Sequence, residues 1–170
     1  MSRQLTTDSV VGPSFAVYLP MDRRRELAGL GPLPARSSGA ALFADISGFT
    51  HLTEVLSRTL GAKRGAEELS QLLNQVFGPV TTAIHRHGGS VISFGGDSIT
   101  CWFDGDDGAG ATAAALDLLS FIQSFREQEA DGPARDIDIK VAVASGLARR
   151  IRVGRAEHSY MDVLAGEVVE

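Results

Sequence analysis

Five apolar residues, Ala40-Ala41-Leu42-Phe43-Ala44, run directly into one carboxylate, Asp45, and this junction constrains the fold more than any other stretch of the chain. An unbroken apolar run of strand length suits a central strand covered on both faces, since a strand with one wet face would alternate. Its acidic end is costly to bury unless the carboxylate is paired or holds a cation. Immediately afterwards, Ile46-Ser47-Gly48-Phe49-Thr50 opens a helical pattern, so the chain turns sharply from strand to helix beside that acid.

The pattern around this junction predicts the remaining elements. Phe49, Leu52, Val55 and Leu56 form one helical stripe that Gly61 stops, and Leu69, Leu72, Leu73, Val76, Phe77, Val80, Ala83 and Ile84 form a second that ends at Gly88-Gly89. Gly78-Pro79 inside the second stripe predicts a kink. Strands over Ser90 to Phe94 and Ile99 to Phe103 flank Gly95-Gly96-Asp97-Ser98, which is hairpin chemistry. Ala111, Ala114, Ala115, Leu118, Leu119, Ile122 and Phe125 predict a third helix, closed by Asp131-Gly132-Pro133. Ile137, Ile139, Val141 and Val143 alternate with polar or small residues, which predicts a half-buried strand, and a last strand covers Met161 to Ala165. The order β-α-α-β-β-α-β-β implies an α+β fold with helices on one face of the sheet. Residues 1–37 hold four of the six prolines and one short helical candidate, Met21 to Leu30, and read as an N-terminal arm ahead of a domain over 38–170.

At 170 residues, with 44% hydrophobic and 22% charged side chains, the chain is sized for one globular domain with its own core. Its net charge of −5 argues against a nucleic acid polymer as partner. The groups Arg23-Arg24-Arg25 and Arg149, Arg150, Arg152, Arg155 are read as solvated faces. No apolar run approaches the roughly 20 residues that span a bilayer, and the start of the chain lacks signal-peptide layout, so no membrane partner and a cytoplasmic location are expected. The single cysteine, Cys101, falls in an apolar strand and reads as a buried, inert thiol. Trp102 and Phe103 beside it read as core, and His51, His85, His87 and His158 as surface or helix-end residues.

Asp45 at a strand end and Asp97 at a hairpin tip are the residues that point to chemistry. Two carboxylates on neighbouring strands repel each other unless a divalent cation lies between them, and Mg²⁺ takes one or two carboxylates together with substrate phosphates. That is the donor set of two-metal phosphoryl or nucleotidyl transfer. The first amides of a helix opening at Gly48 lack partners within the helix, and a triphosphate fits there. The competing reading makes Asp45 or Ser47 a helix cap and Asp97 a turn residue.

The string Ala44-Asp45-Ile46-Ser47-Gly48-Phe49-Thr50, followed by two helices, His87-Gly88-Gly89 and Phe94-Gly95-Gly96-Asp97-Ser98, resembles the catalytic homology domain of class III adenylyl and guanylyl cyclases. Through Arg64-Gly65-Ala66-Glu67-Glu68-Leu69 and Asp162-Val163-Leu164-Ala165-Gly166 it is similar in particular to the first cyclase domain of soluble adenylyl cyclase-like and bacterial tandem proteins. The resemblance covers residues 38–170. It implies a ferredoxin-like, palm-like antiparallel sheet with helices on one face. It also implies two Mg²⁺ or Mn²⁺ ions held by Asp45, Asp97 and the Ile46 carbonyl, phosphates held by Ser47, Gly48, Phe49 and Thr50, and conversion of ATP, or GTP, to a 3′,5′-cyclic nucleotide and pyrophosphate.

The departures carry as much information. The family's purine-selecting lysine falls on Ser93, and its acidic partner falls on Val163 with Asp162 one place off, so base selection from this chain is weak. The transition-state asparagine falls on Glu170, and the arginine that follows it lies past the last residue. These positions imply a fold truncated at its C-terminus that supplies the metal half of a site completed by a second cyclase domain, in cis or in trans, or by a homodimer. The alternative is a non-catalytic cyclase-like regulatory module. Gly95-Gly96-Asp97-Ser98 also resembles the diguanylate cyclase signature, but Ile99 departs from it and the Asp45 to Thr50 string fits class III better.

Overall fold

The computed structural model describes residues 19–155 and 159–169, with side chains described outside 155–160. Glu170, His158 and the side chain of Arg155 therefore lie outside the described residues. The elements run α1 (Met21–Leu27), β1 (Arg36–Ser47), α2 (Phe49–Leu60), α3 (Ala62–Arg86), β2 (Ser90–Gly95), β3 (Ser98–Asp104), α4 (Ala109–Gln128), β4 (Asp138–Arg155), β5 (Ser159–Ala165) and a 3₁₀ turn (Glu167–Val169). The strands form one antiparallel sheet in the order β2-β3-β1-β4-β5. The apolar run of β1 is central, as its composition demands.

Alternation along β1 sorts the two faces. Ala40, Leu42, Ala44 and Ile46 enter the main core with Leu52 and Leu56 of α2, Val76, Val80 and Ile84 of α3, and Leu118, Ile122 and Phe125 of α4. The opposite face carries a smaller cluster of Ala41, Trp102, Ala148 and Ile92, packed by Leu164 and Val168. Ile92 belongs to β2 and Leu164 to β5, so the sheet curls until its two edges share one apolar cluster. Burial on this second face stops at Ala41, and Phe43 is 46% exposed, which corrects the expectation of a strand covered on both faces throughout.

Several other expectations shift. The second helical stripe lies in a 25-residue helix that begins at Ala62, ahead of the stripe, and contains Pro79. Leu119 of α4 is 44% exposed and leaves the predicted buried stripe. β4 extends to 18 residues, because pairing with β1 over Arg36–Ser47 and with β5 beyond it satisfies its backbone past the alternating segment. Cys101 is fully buried, and burial pushes its thiol up to about 12, in keeping with an inert role. Trp102 and Phe103 are buried, and the Trp102 indole donates to Asp104. No helix among the described residues is long and apolar enough to cross a membrane.

The two arginine groups are not uniformly solvated. The Asp22 amide of α1 donates to Ser90 Oγ at 3.0 Å, and its carboxylate accepts from Arg150. Arg23 grips Asp162 with Nε at 3.1 Å and Nη2 at 2.6 Å and also donates to Glu26, whose other oxygen caps the Leu33 amide at 3.0 Å. The side chains of Arg150 and Asp162 are only 8% and 6% exposed. A buried charge survives when paired, and here Asp22, Glu26 and Asp162 are matched by Arg23 and Arg150. The network ties α1 to β2, β4 and β5.

Candidate active site

The predicted acids meet at one end of the sheet. Asp45 pairs with Ser98 across β1 and β3, and the Ile46 amide donates to the Asp97 carbonyl at 3.0 Å, which sets the hairpin tip against the end of β1. The tip is a two-residue loop, Gly96-Asp97, and Gly96 takes φ +73°, the left-handed value that such loops require of their first residue. Asp45 is half-buried and Asp97 exposed, so neither carries the burial cost expected from sequence.

The strand-to-helix turn follows. Gly48 takes φ +99° and stands at the N-cap of α2 with no side chain capping the helix. A Cβ at Gly48 would sit 2.6 Å from the Asp136 carbonyl oxygen, so only glycine lets the turn press against the segment before β4. Neither Asp45 nor Ser47 caps the helix, which removes the competing structural role for both. Ser47 and Thr50 are exposed and Phe49 is partly buried, and the first-turn amides are left to solvent or a ligand.

Register places further residues on the Asp45 face. Lys140 of β4 stands directly opposite Asp45, exposed to solvent. The next row across the sheet is Ser93, Thr100, Phe43 and Ala142, about 7 Å away at two residues of strand rise. That row lines a groove of about 640 Å³ on the helix-free face, together with Ile92 and Leu164. Ser93 thus lies in the groove wall with its hydroxyl as its only polar group. Asp162 also borders the groove, but both its oxygens accept from Arg23. Val163 pairs with Ile151 across the β4–β5 ribbon and also contributes to the groove lining.

Sequence reading missed Lys140, Thr100 and the Arg23–Asp162–Arg150–Asp22 network. Alternation along β4 does mark Lys140 as outward-facing, but only the β1–β4 register brings it beside Asp45. Asp45, Ile46 and Asp97 lie together at one sheet end, and among the described residues no cluster of three or more His, Cys, Asp or Glu could hold a cation alone, so a cation there would arrive with a phosphate substrate. Mg²⁺ is bound in that way, through one or two carboxylates with water and phosphate completing its shell.

Residues 35–168 match the family described as the adenylate and guanylate cyclase catalytic domain. Photoactivated adenylate cyclase subunit beta of Euglena gracilis is 33% identical over 138 residues, which is 79% of this chain and 15% of that protein. Human adenylate cyclase type 10 is 27% identical over 134 residues, 78% of this chain and 8% of that protein. The chain therefore spans a small part of these curated relatives. Among solved structures, a bacterial light-regulated adenylyl cyclase superposes with a TM-score of 0.73 at 25% identity, over 92% of this chain and 45% of that one.

Proposed function

This chain belongs to the adenylate and guanylate cyclase catalytic domain family, and we propose that it forms the metal-carboxylate half of a site that converts ATP to 3′,5′-cyclic AMP and pyrophosphate. The observation that carries this reading is the pair of adjacent rows on the helix-free face, with Asp45, Lys140 and the Asp97 tip in one and the groove of Ser93, Thr100 and Phe43 in the next. A nucleoside triphosphate laid across them puts its phosphates by the first row and its base in the groove.

Asp45, Asp97 and the Ile46 carbonyl would hold two Mg²⁺ or Mn²⁺ ions, which when bound supply an activated ribose 3′-hydroxyl and neutralise the triphosphate. The first-turn amides of α2 donate to phosphate oxygens, and Lys140 adds a positive charge beside Asp45. Attack of the 3′-oxygen on the α-phosphorus then forms the cyclic ester as the bond to pyrophosphate breaks, and the 3′-hydroxyl proton leaves to solvent or with the pyrophosphate. ATP is favoured over GTP because the named relatives are adenylate cyclases.

The same face argues for a second cyclase domain as partner. Phe43, Ala142 and Ala144 are exposed on it, and the β4–β5 ribbon running past β1 exposes Ile151, Val153 and Met161. An apolar face of this kind marks an interaction surface. The groove is lined by hydroxyls and by the carboxylates of Asp162 and Glu167, with no lysine or arginine among its lining residues, so the partner would supply the cationic base contact and transition-state donors. Each such donor is worth about 3–4 kcal/mol, so the chain alone should show only trace turnover. A second reading, a non-catalytic module that gates a partner, is favoured by the lack of a purine-reading lysine in the groove.

Calorimetry with Mn²⁺ and a non-hydrolysable ATP analogue tests the site: wild type binds and Asp97→Ala does not, with the fold retained by circular dichroism. Equal affinity for both would remove Asp97 from the site. With a competent second domain added, Asp45→Ala in this chain abolishes activity; if the second domain's own aspartates prove essential instead, the gating reading replaces the catalytic one.

A further inference from the structure

Three phenylalanines from three elements meet beside the two halves of the candidate site. Phe49, the first residue of α2 and part of the phosphate turn, stacks on Phe77 of α3 with ring centroids 6.0 Å apart and planes at 21°. Phe77 in turn meets Phe94 of β2 edge-on, at 5.8 Å and 74°. Phe94 lies three residues before Asp97. A cleft of about 320 Å³ lined by Phe49, Thr53, Leu69 and Leu73 runs from this cluster to Gly96 and Asp97. Phe94 is 59% exposed, so burial alone gives little reason for an aromatic ring there.

The two carboxylates are set by the strand ladder, through the Asp45–Ser98 pairing and the Ile46–Asp97 hydrogen bond. The phosphate turn is not part of that ladder once β1 ends at Ser47, and its place relative to the hairpin tip is a matter of packing. Phe77 touches both sides. Rings at stacked and edge-on distances have preferred relative geometries that aliphatic side chains lack. We propose that Phe77 is a positioning residue that braces the phosphate turn, through Phe49, against the Asp97 hairpin, through Phe94. This rests on the reading of Asp45, Asp97 and the turn as a metal–triphosphate site. Phe77 touches no substrate; it fixes the spacing between the groups that do.

Outer groups that orient metal-binding ones are commonly worth 10- to 100-fold in affinity. In the 170-residue chain, Phe77→Leu should weaken Mn²⁺–ATP-analogue binding by about 10-fold or more on that scale, and Phe77→Tyr, which keeps the ring, should restore it. Phe94→Leu changes a largely exposed residue, so the fold survives, and it should weaken binding in the same direction. Phe125→Leu, a core change on α4, should lower thermal stability without altering affinity. Amide exchange reads the brace without any ligand: Phe77→Leu should speed exchange in both the 47–50 turn and the 95–98 tip, and Phe125→Leu should not. Unchanged exchange at turn and tip overturns the proposal, as does an affinity loss that Phe125→Leu reproduces at equal destabilisation. If wild type binds no metal–nucleotide while exchange still responds at both places, the brace stands and the metal-site reading fails.

Discussion

Replacing Arg150 with methionine keeps most of the side-chain volume and removes the guanidinium that serves Asp22 and approaches Asp162 at 3.7 Å. The side chains of Arg150, Asp22 and Asp162 are 8%, 12% and 6% exposed, so solvent screening is weak. Removing one partner of a buried pair typically costs about 3–5 kcal/mol, since a desolvated charge is left behind. Asp162 keeps Arg23, at 2.6 Å, and Asp22 keeps the Arg23 amide, so the cost falls at the low end, about 3 kcal/mol. For a domain of this size that lowers the melting temperature by roughly 6–12 °C. Among the described residues Arg150 Nη1 has no hydrogen-bond partner, so little bonding is lost from that nitrogen. The loss should be visible in urea titration followed by circular dichroism and as faster amide exchange across Met21–Leu27, because the α1 anchor is released. Asp22→Asn combined with Arg150→Met removes the stranded charge and should regain part of the loss, giving a coupling of about 0.5–3 kcal/mol in the double-mutant cycle. Arg150→Met within 1 kcal/mol of wild type, with α1 still protected, would refute the claim that this network holds the helix.

Three more expectations follow from the geometry. Gly48→Ala introduces a Cβ 2.6 Å from the Asp136 carbonyl oxygen at φ +99°, and should destabilise by about 1–3 kcal/mol while weakening triphosphate binding, both readable by calorimetry. Cys101, whose thiol is held near 12, should resist iodoacetamide at pH 8 in the folded chain and react once urea unfolds it, as mass spectrometry would show. The hydrogen bond from His87, with the His87 and Arg86 charges adding to it, lowers the Asp117 carboxyl below the ordinary aspartate range. Its contribution to stability is therefore present above the unfolded midpoint and lost as pH falls through the lowered folded one. His87→Ala should move the Asp117 NMR titration midpoint upward.

What the sequence determined by itself is local and periodic. The apolar run before Asp45, the 3.6-residue stripes of α2 and α3 and the glycine-centred hairpin each reflect interactions within a few residues, so they were legible without a structure. The same holds for Asp45, Asp97 and the Gly48 turn, because the end of a strand and the tip of a hairpin are set by neighbouring residues. Only the tertiary structure decided the register and the curl of the sheet. Pairing of β1 with β4 puts Lys140 beside Asp45 across 95 residues of chain. Curling brings Ile92 and Leu164 into one cluster, and docking of α1 turns Arg23 and Arg150, which read as surface arginines, into the buried partners of Asp162 and Asp22. A charge on a short polar stretch carries no local sign of what will face it. Its environment is set by strands and a helix that meet only when loop-closure entropy has been overcome by burial of the common core.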